Sequence, residues 1–258
     1  MLKITHNYGF FSCCSVRLYS IIDYFNKEKK LPIQVDCSEQ FQIYKKTADS
    51  DVVFDFFENY NDRLIEIKYD KYFYIDMNCF QFDNYKDVDY TKITPFIQKY
   101  FSPSSEIIEL YNYFIAKYNI NVNNCISLYY RGTDKCHEIK LGSFEEYSDK
   151  LDEIANLNPN MQILIQTDSS QFLDYMKNRK KNNVIVINEL STSYTKNGVH
   201  YENTYSKNYQ EMKYLMASFL IISRCKHIIC NSGNCSIWIM FYRGNSINVH
   251  QYRNDHFL

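Results

Sequence analysis

The chain predicts an α/β fold whose second half is a doubly wound parallel sheet. Short apolar runs alternate there with stretches of helical period, and a polar cluster follows most of the runs. The order strand, helix, strand repeats from residue 125 to the C-terminus, and such alternation builds a parallel sheet with right-handed crossovers.

The elements follow in order. Leu2-Lys3-Ile4 reads as a short strand and Asn7-Tyr8-Gly9 as a turn. Residues 15–26 read as a helix, because Val16, Tyr19, Ile22 and Tyr24/Phe25 recur near helical spacing. Pro32 opens a strand, Ile33-Gln34-Val35, so the chain begins as nucleotide-type α/β halves do. Residues 47–103 are rich in Asp, Tyr and Phe and yield no clean element. Ser102-Pro103-Ser104-Ser105 reads as a loop and N-cap for a helix over 106–118. Beyond it, strands are expected at 125–130, 161–166, 184–187, 227–230 and 246–250. Helices are expected at 143–156, 170–179 and 209–224, with one more between the last two strands.

Composition narrows the function. The 258 residues suffice for one large domain or two small lobes, and 45 % hydrophobic residues support a core. A formal net charge of -1 leaves no basic surplus for nucleic acid. The high count of 25 Tyr, beside much Asn, Lys and Ile, reads as genome bias rather than a signal. No apolar run approaches the roughly 18 residues that span a bilayer, and the N-terminus lacks a signal-peptide core. The nine Cys form neither a CxxC pair nor a zinc spacing and read as reduced, buried thiols. The expectation is a soluble cytoplasmic chain.

In a parallel sheet the C-terminal ends of the strands share one edge, where ligands bind. Three clusters should meet there: Arg131-Gly132-Thr133-Asp134-Lys135, Thr167-Asp168, and Asn231-Ser232-Gly233-Asn234. Arg131 offers a planar donor fork that suits phosphate. Gly132 allows close backbone approach. The Ser-Gly-Asn turn before a helix presents amides and the positive helix end. Asp168 could accept from a base or ribose. Together they describe a site for a nucleoside diphosphate. No GxxxxGK[ST] or GxGxxG motif is present, so ATPase and NAD-enzyme readings lose support.

The run Tyr129-Tyr130-Arg131-Gly132-Thr133-Asp134-Lys135 resembles the HxRxxDK-type signature of the α1,6-/protein-O-fucosyltransferase superfamily, which includes the rhizobial nodulation enzymes. The resemblance continues through Gly142-Ser143-Phe144, the strand ending in Thr167-Asp168, and residues 223–234. Asn7-Tyr8-Gly9-Phe10-Phe11-Ser12 is similar to the family's N-terminal glycine loop. The resemblance implies a GT-B-like pair of Rossmann-like lobes, residues 1–120 on the acceptor side and 121–258 holding the nucleotide sugar. It implies inverting transfer of fucose from GDP-fucose to a glycan, with no cofactor and no obligatory metal. Arg131 then holds the donor β-phosphate, and Glu138 is the candidate base for the acceptor hydroxyl. Gly9, Phe10, Tyr129, Gly132, Asp134, Lys135, Thr167, Asp168, Ser232, Gly233 and Asn234 line the donor. Two departures stand out: Tyr129 replaces the motif's His, and Gly132 replaces the second Arg of the α1,6-enzymes.

Plainer readings stand beside these. Arg131 and Asp134 could form a structural ion pair, Glu138 a solvated helix-start carboxylate, Asp168 a helix cap and Gly9 a simple turn. His137 rivals Glu138 as a base. Trp238 reads as core, and the Lys177-Arg179-Lys180-Lys181 run as a solvated helix end. Tyr194, Lys196, His200 and Tyr201 lie in a polar loop that could touch either substrate. A different GDP- or UDP-sugar donor, or a binding module without catalysis, would fit the same pattern.

Overall fold

The computed structural model describes residues 1–47, 50–67, 80–180 and 184–258. The chain opens with β1 (Leu2–Lys3), α1 (Phe10–Glu28), β2 (Val35–Asp36) and one turn of helix, α2 (Val53–Phe56). Two helices follow, α3 (Tyr90–Tyr100) and α4 (Ser105–Lys117). The second half runs β3 (Cys125–Tyr130), α5 (Phe144–Leu157), β4 (Gln162–Thr167), α6 (Ser170–Lys180), α7 (Val199–Glu202), α8 (Tyr205–Arg224), β5 (His227–Asn231), α9 (Asn234–Arg243), β6 (Val249–Arg253) and β7 (His256–Phe257). This is an α/β fold.

The large sheet has the order β4-β3-β5-β6-β7. Its first four strands are parallel, and β7 pairs antiparallel with β6. The sheet is therefore mixed, against the wholly parallel sheet expected. The expected strand at 184–187 is reduced to one bridge, Leu164 to Ile185, at the outer edge of β4. β1 and β2 form a separate two-stranded parallel ribbon.

Every residue of the central strand β3 is buried, as both faces of a covered parallel strand must be. Its side chains alternate between two cores. Ile126, Leu128 and Tyr130 pack with Tyr147 and Leu151 of α5 and Phe172 of α6. Cys125 and Tyr129 turn the other way, toward α1, α8 and α9. Trp238 is fully buried in that second core, as expected. The N-terminal segment thus packs against α8 and α9 through one continuous apolar cluster.

Local chemistry fixes the helix starts that matter. α1 begins at Phe10, earlier than expected, because Gly9 is its N-cap rather than part of a free turn. α5 starts on a capping box: the Ser143 hydroxyl accepts from the Glu146 amide at 3.2 Å, and the Ser143 amide donates to Glu146 Oε2 at 2.7 Å. Among the described residues no helix is long and apolar enough to cross a membrane. The cysteines described are free thiols, and all but Cys136 are buried. Lys181, part of the expected solvated run, lies outside the described residues.

Candidate active site

Strand register brings the three clusters together. Tyr130 of β3 pairs with Thr167 of β4, and Tyr129 pairs with Cys230 of β5. The next residues, Arg131, Asp168 and the Asn231-Ser232 turn, therefore leave neighbouring strands at one edge. A cleft of about 480 Å³ opens there, bounded also by the N-terminal loop, α8 and the segment around α7.

Arg131 is pinned on several sides. Its amide donates to Asn231 Oδ1 at 3.0 Å, and Asn231 Nδ2 donates back to its carbonyl at 3.3 Å. Its Nε and Nη2 donate to the Asp134 carboxylate at 3.2, 2.8 and 2.9 Å. Its Nη1 reaches Cys235 Sγ, on the first turn of α9, at 3.4 Å. Burial pushes the Asp134 carboxyl up, but the adjoining guanidinium overrides it and holds the group below the usual carboxylate range.

Asp168 serves the loop. Its Oδ1 accepts from the Gly132 amide at 2.7 Å and its Oδ2 from the Thr133 hydroxyl at 2.6 Å. Both oxygens therefore hold the turn that carries Arg131. Thr167 lies buried beside it, its hydroxyl accepting from the Ser169 amide at 3.1 Å. Gly132 is small for a packing reason: a Cβ there would meet Tyr130 Cε1 at 2.3 Å.

The Ser-Gly-Asn turn is partly committed to the fold. The Ser232 hydroxyl donates to the Tyr252 carbonyl at 3.1 Å, and the Gly233 amide donates to the Gln81 carbonyl at 3.0 Å. Asn234 Oδ1 accepts from Ser15 at 2.8 Å. Gly233 has φ +148°, which favours glycine, and a Cβ would lie 2.7 Å from Lys135 Cε. The first amides of α9 have no acceptor inside the helix, so they are the donors this turn can offer. Lys135 is buried and donates to Gln81 Oε1 at 3.2 Å and to Glu138 Oε2 at 2.6 Å. Glu138 thus stands on the cleft wall as half of an ion pair, its side chain half exposed.

The N-terminal loop forms another wall. The Phe10 amide donates to the Tyr44 hydroxyl at 3.1 Å, which seats the start of α1 against the cleft. Gly9 needs no unusual backbone, and a Cβ there would meet nothing within 4 Å. Tyr129, in the position of the motif's His, is buried and packs edge-on to Phe219 of α8. Of the polar loop, His200 and Tyr201 line the cleft; Tyr194 and Lys196 do not, nor does His137.

Several cleft residues carried no signal in the sequence. Tyr44, Gln81 and Cys235 become visible only through contacts spanning tens of residues or more. Gln166 sits one place before Thr167 on β4; it is buried, and its Oε1 finds no donor. Among the described residues no three His, Cys, Asp or Glu side chains could together hold a metal ion. The arrangement can bind a compact dianion: the Arg131 guanidinium and the N-terminal ends of α1 and α9 face one space.

Fold and cleft together define an α/β protein with an anion-suited site at the C-terminal edge of its sheet. That fold is shared with solved fucosyltransferases. The chain is similar to the fucosyltransferase NodZ from Bradyrhizobium in its selenomethionine crystal, at 10 % identity and TM-score 0.63, covering 99 % of this chain and 95 % of that one. A second crystal of Bradyrhizobium NodZ aligns at 12 % identity and TM-score 0.56, covering 100 % and 96 %. Against NodZ α-1,6-fucosyltransferase co-crystallised with GDP, the alignment covers 65 % of this chain and about half of that one, 51 %, at 11 % identity and TM-score 0.46. No family model and no curated protein matches the sequence.

Proposed function

We propose that this chain is an inverting glycosyltransferase of the fucosyltransferase type. It moves fucose from GDP-fucose to a hydroxyl of a glycan or glycoconjugate. On this reading residues 1–120 form the acceptor-side lobe and 121–258 the nucleotide-sugar lobe of a GT-B-like pair, the second a doubly wound sheet. The reading is supported by the fold likeness to fucosyltransferase NodZ and by four sequence motifs in the family's order. The buried free thiols fit a cytoplasmic setting.

One observation carries the proposal. The Arg131 fork, tied down by Asp134 and Asn231, faces the same cleft as the N-terminal ends of α1 and α9. When the bond from the anomeric carbon to the β-phosphate oxygen breaks, the diphosphate gains charge. A fixed guanidinium then stabilises the transition state more than the ground state. Its Nη1 edge, which reaches toward α9, is the edge a β-phosphate would meet. Arginine and helix ends supply the positive charge that a divalent ion provides elsewhere, so the reaction calls for no metal.

The test is ligand-induced stabilisation, with and without EDTA, by GDP, UDP and their sugars, followed by transfer assays on a saccharide panel. GDP should stabilise the protein regardless of EDTA and UDP should not. Stabilisation by UDP alone would move the donor to another sugar nucleotide. GDP binding without transfer would leave a binding module.

A further inference from the structure

One titratable side chain of the cleft has no duty in this scheme. His200 lies in α7; among the described residues its hydrogen bond is made at the backbone, where its carbonyl accepts from Asn208 Nδ2 at 2.7 Å. Its ring packs against Tyr201 at 4.1 Å and Tyr44 at 6.4 Å between centroids. It is also a close neighbour of Asp134. A single point beside Gly198, where a Cβ would sit, lies 3.0 Å from His200 Nδ1 and 3.0 Å from Asp134 Oδ2. Gly198 has ordinary backbone angles, so what the position requires is the space into which ring and carboxylate converge.

We propose that His200 is the catalytic base, with Asp134 behind it stabilising the imidazolium. The inference rests on the transferase reading above. An imidazole nitrogen takes the proton of the acceptor hydroxyl while the acceptor oxygen bonds to the anomeric carbon. The bond from that carbon to the β-phosphate oxygen breaks, and its electron pair leaves with the diphosphate, beside Arg131. The imidazolium then returns its proton to water. Glu138, the base expected from the sequence, is instead engaged by Lys135, whose Nζ donates to its Oε2 at 2.6 Å.

The surroundings make this base responsive to the donor. The charged groups acting on His200 are Arg131 and Asp134, both from the segment after β3; the titratable rings packed on it are Tyr44 and Tyr201, and α8 contributes the neutral Asn208. Burial and the Arg131 charge hold His200 down to about 4 against the opposing pull of Asp134, so at neutral pH the ring is unprotonated. A diphosphate on Arg131 cancels the repulsion that disfavours the imidazolium. The ring therefore becomes more basic when the donor is bound.

The experiment uses the full chain, GDP as probe, and histidine NMR beside kinetics with GDP-fucose. Saturating GDP should raise the His200 titration midpoint by about one unit or more, since removing one nearby like charge has effects of that order. His200→Gln should bind GDP like the wild type and lose transfer by about 10²–10⁴-fold, as loss of a general base does, together with the acidic limb of the pH profile. Glu138→Gln should keep most of its transfer. A midpoint unmoved by GDP, near-normal transfer by His200→Gln, loss of GDP binding in that variant, or loss of transfer confined to Glu138→Gln would each overturn the proposal. Failure of the wild type to bind GDP at all would instead bring down the donor reading itself, and this inference with it.

Discussion

Arg131 and Asp134, three residues apart at the end of β3, are joined by a forked contact in which Nε and Nη2 both donate to one carboxylate. The contact fixes the guanidinium plane and leaves the Nη1 edge aimed at the first turn of α9.

Removing that fork should cost activity rather than structure. Arg131→Ala is expected to fold, because Asp134 keeps partial access to water. Turnover should fall about 10²–10³-fold, the usual loss for one preorganised charge donor. Arg131→Lys keeps the charge but not the fork, so it should recover only part of the rate. Initial rates, with circular dichroism as a folding control, check both variants.

Asp168 should behave as a loop anchor. Asp168→Ala leaves the Gly132 amide without its acceptor and the buried Thr133 hydroxyl with only a longer contact, to Asp134 Oδ1 at 3.4 Å. A buried donor left without an acceptor costs about 1–3 kcal/mol, which bounds the loss from above. A melting temperature several degrees lower is expected, together with weaker nucleotide binding. Normal stability with lost binding would instead make Asp168 a direct ligand contact.

Two glycines separate space from strain. Gly9→Ala places a methyl in open cleft and should leave stability unchanged while weakening nucleotide binding. Gly233→Ala combines φ +148° with a 2.7 Å approach to Lys135 and should destabilise the fold by about 1–3 kcal/mol. Paired melting and binding measurements distinguish them.

Stability should decline on mild acidification. Burial holds both His200 and His250 to about 4, helped by Arg131 for the first and by Lys150 and His227 for the second. Unfolded histidine titrates near 6.5. Between those values the unfolded chain binds more protons, so stability is full above about 6.5 and is lost as pH falls toward 4. The slope reaches about 1.4 kcal/mol per pH unit for each such histidine. Melting temperature should fall from pH 7 to pH 5, and His250→Gln should flatten part of that fall. A flat profile would contradict the burial argument.

The sequence was most legible where burial is two-sided. β3 occupies the expected residues because an uninterrupted apolar run bounded by polar clusters admits few other readings. α1 was expected to start late because Gly9 reads equally as turn or cap. α3 was not expected; Pro95 within it breaks the helical signal, and its buried stripe of Ile93, Phe96, Ile97 and Tyr100 shows only once packed. β7 follows Asn254-Asp255, both left-handed at φ 51° and 70°, a pair suited to the tight hairpin that joins it to β6. In the site, sequence order gave the three clusters but not their division of labour. Asp168 and the loop it holds are 35 and 36 residues apart, and the Gly233 amide is committed to Gln81, from a segment that gave no clean element.

The most direct measurement is calorimetric titration of GDP into the wild-type chain and into Arg131→Ala, in EDTA, with UDP as the control. The account predicts GDP binding that is strong in the wild type, weakened at least tenfold in the variant and absent for UDP. Equal GDP binding by both proteins, or none by either, would contradict it.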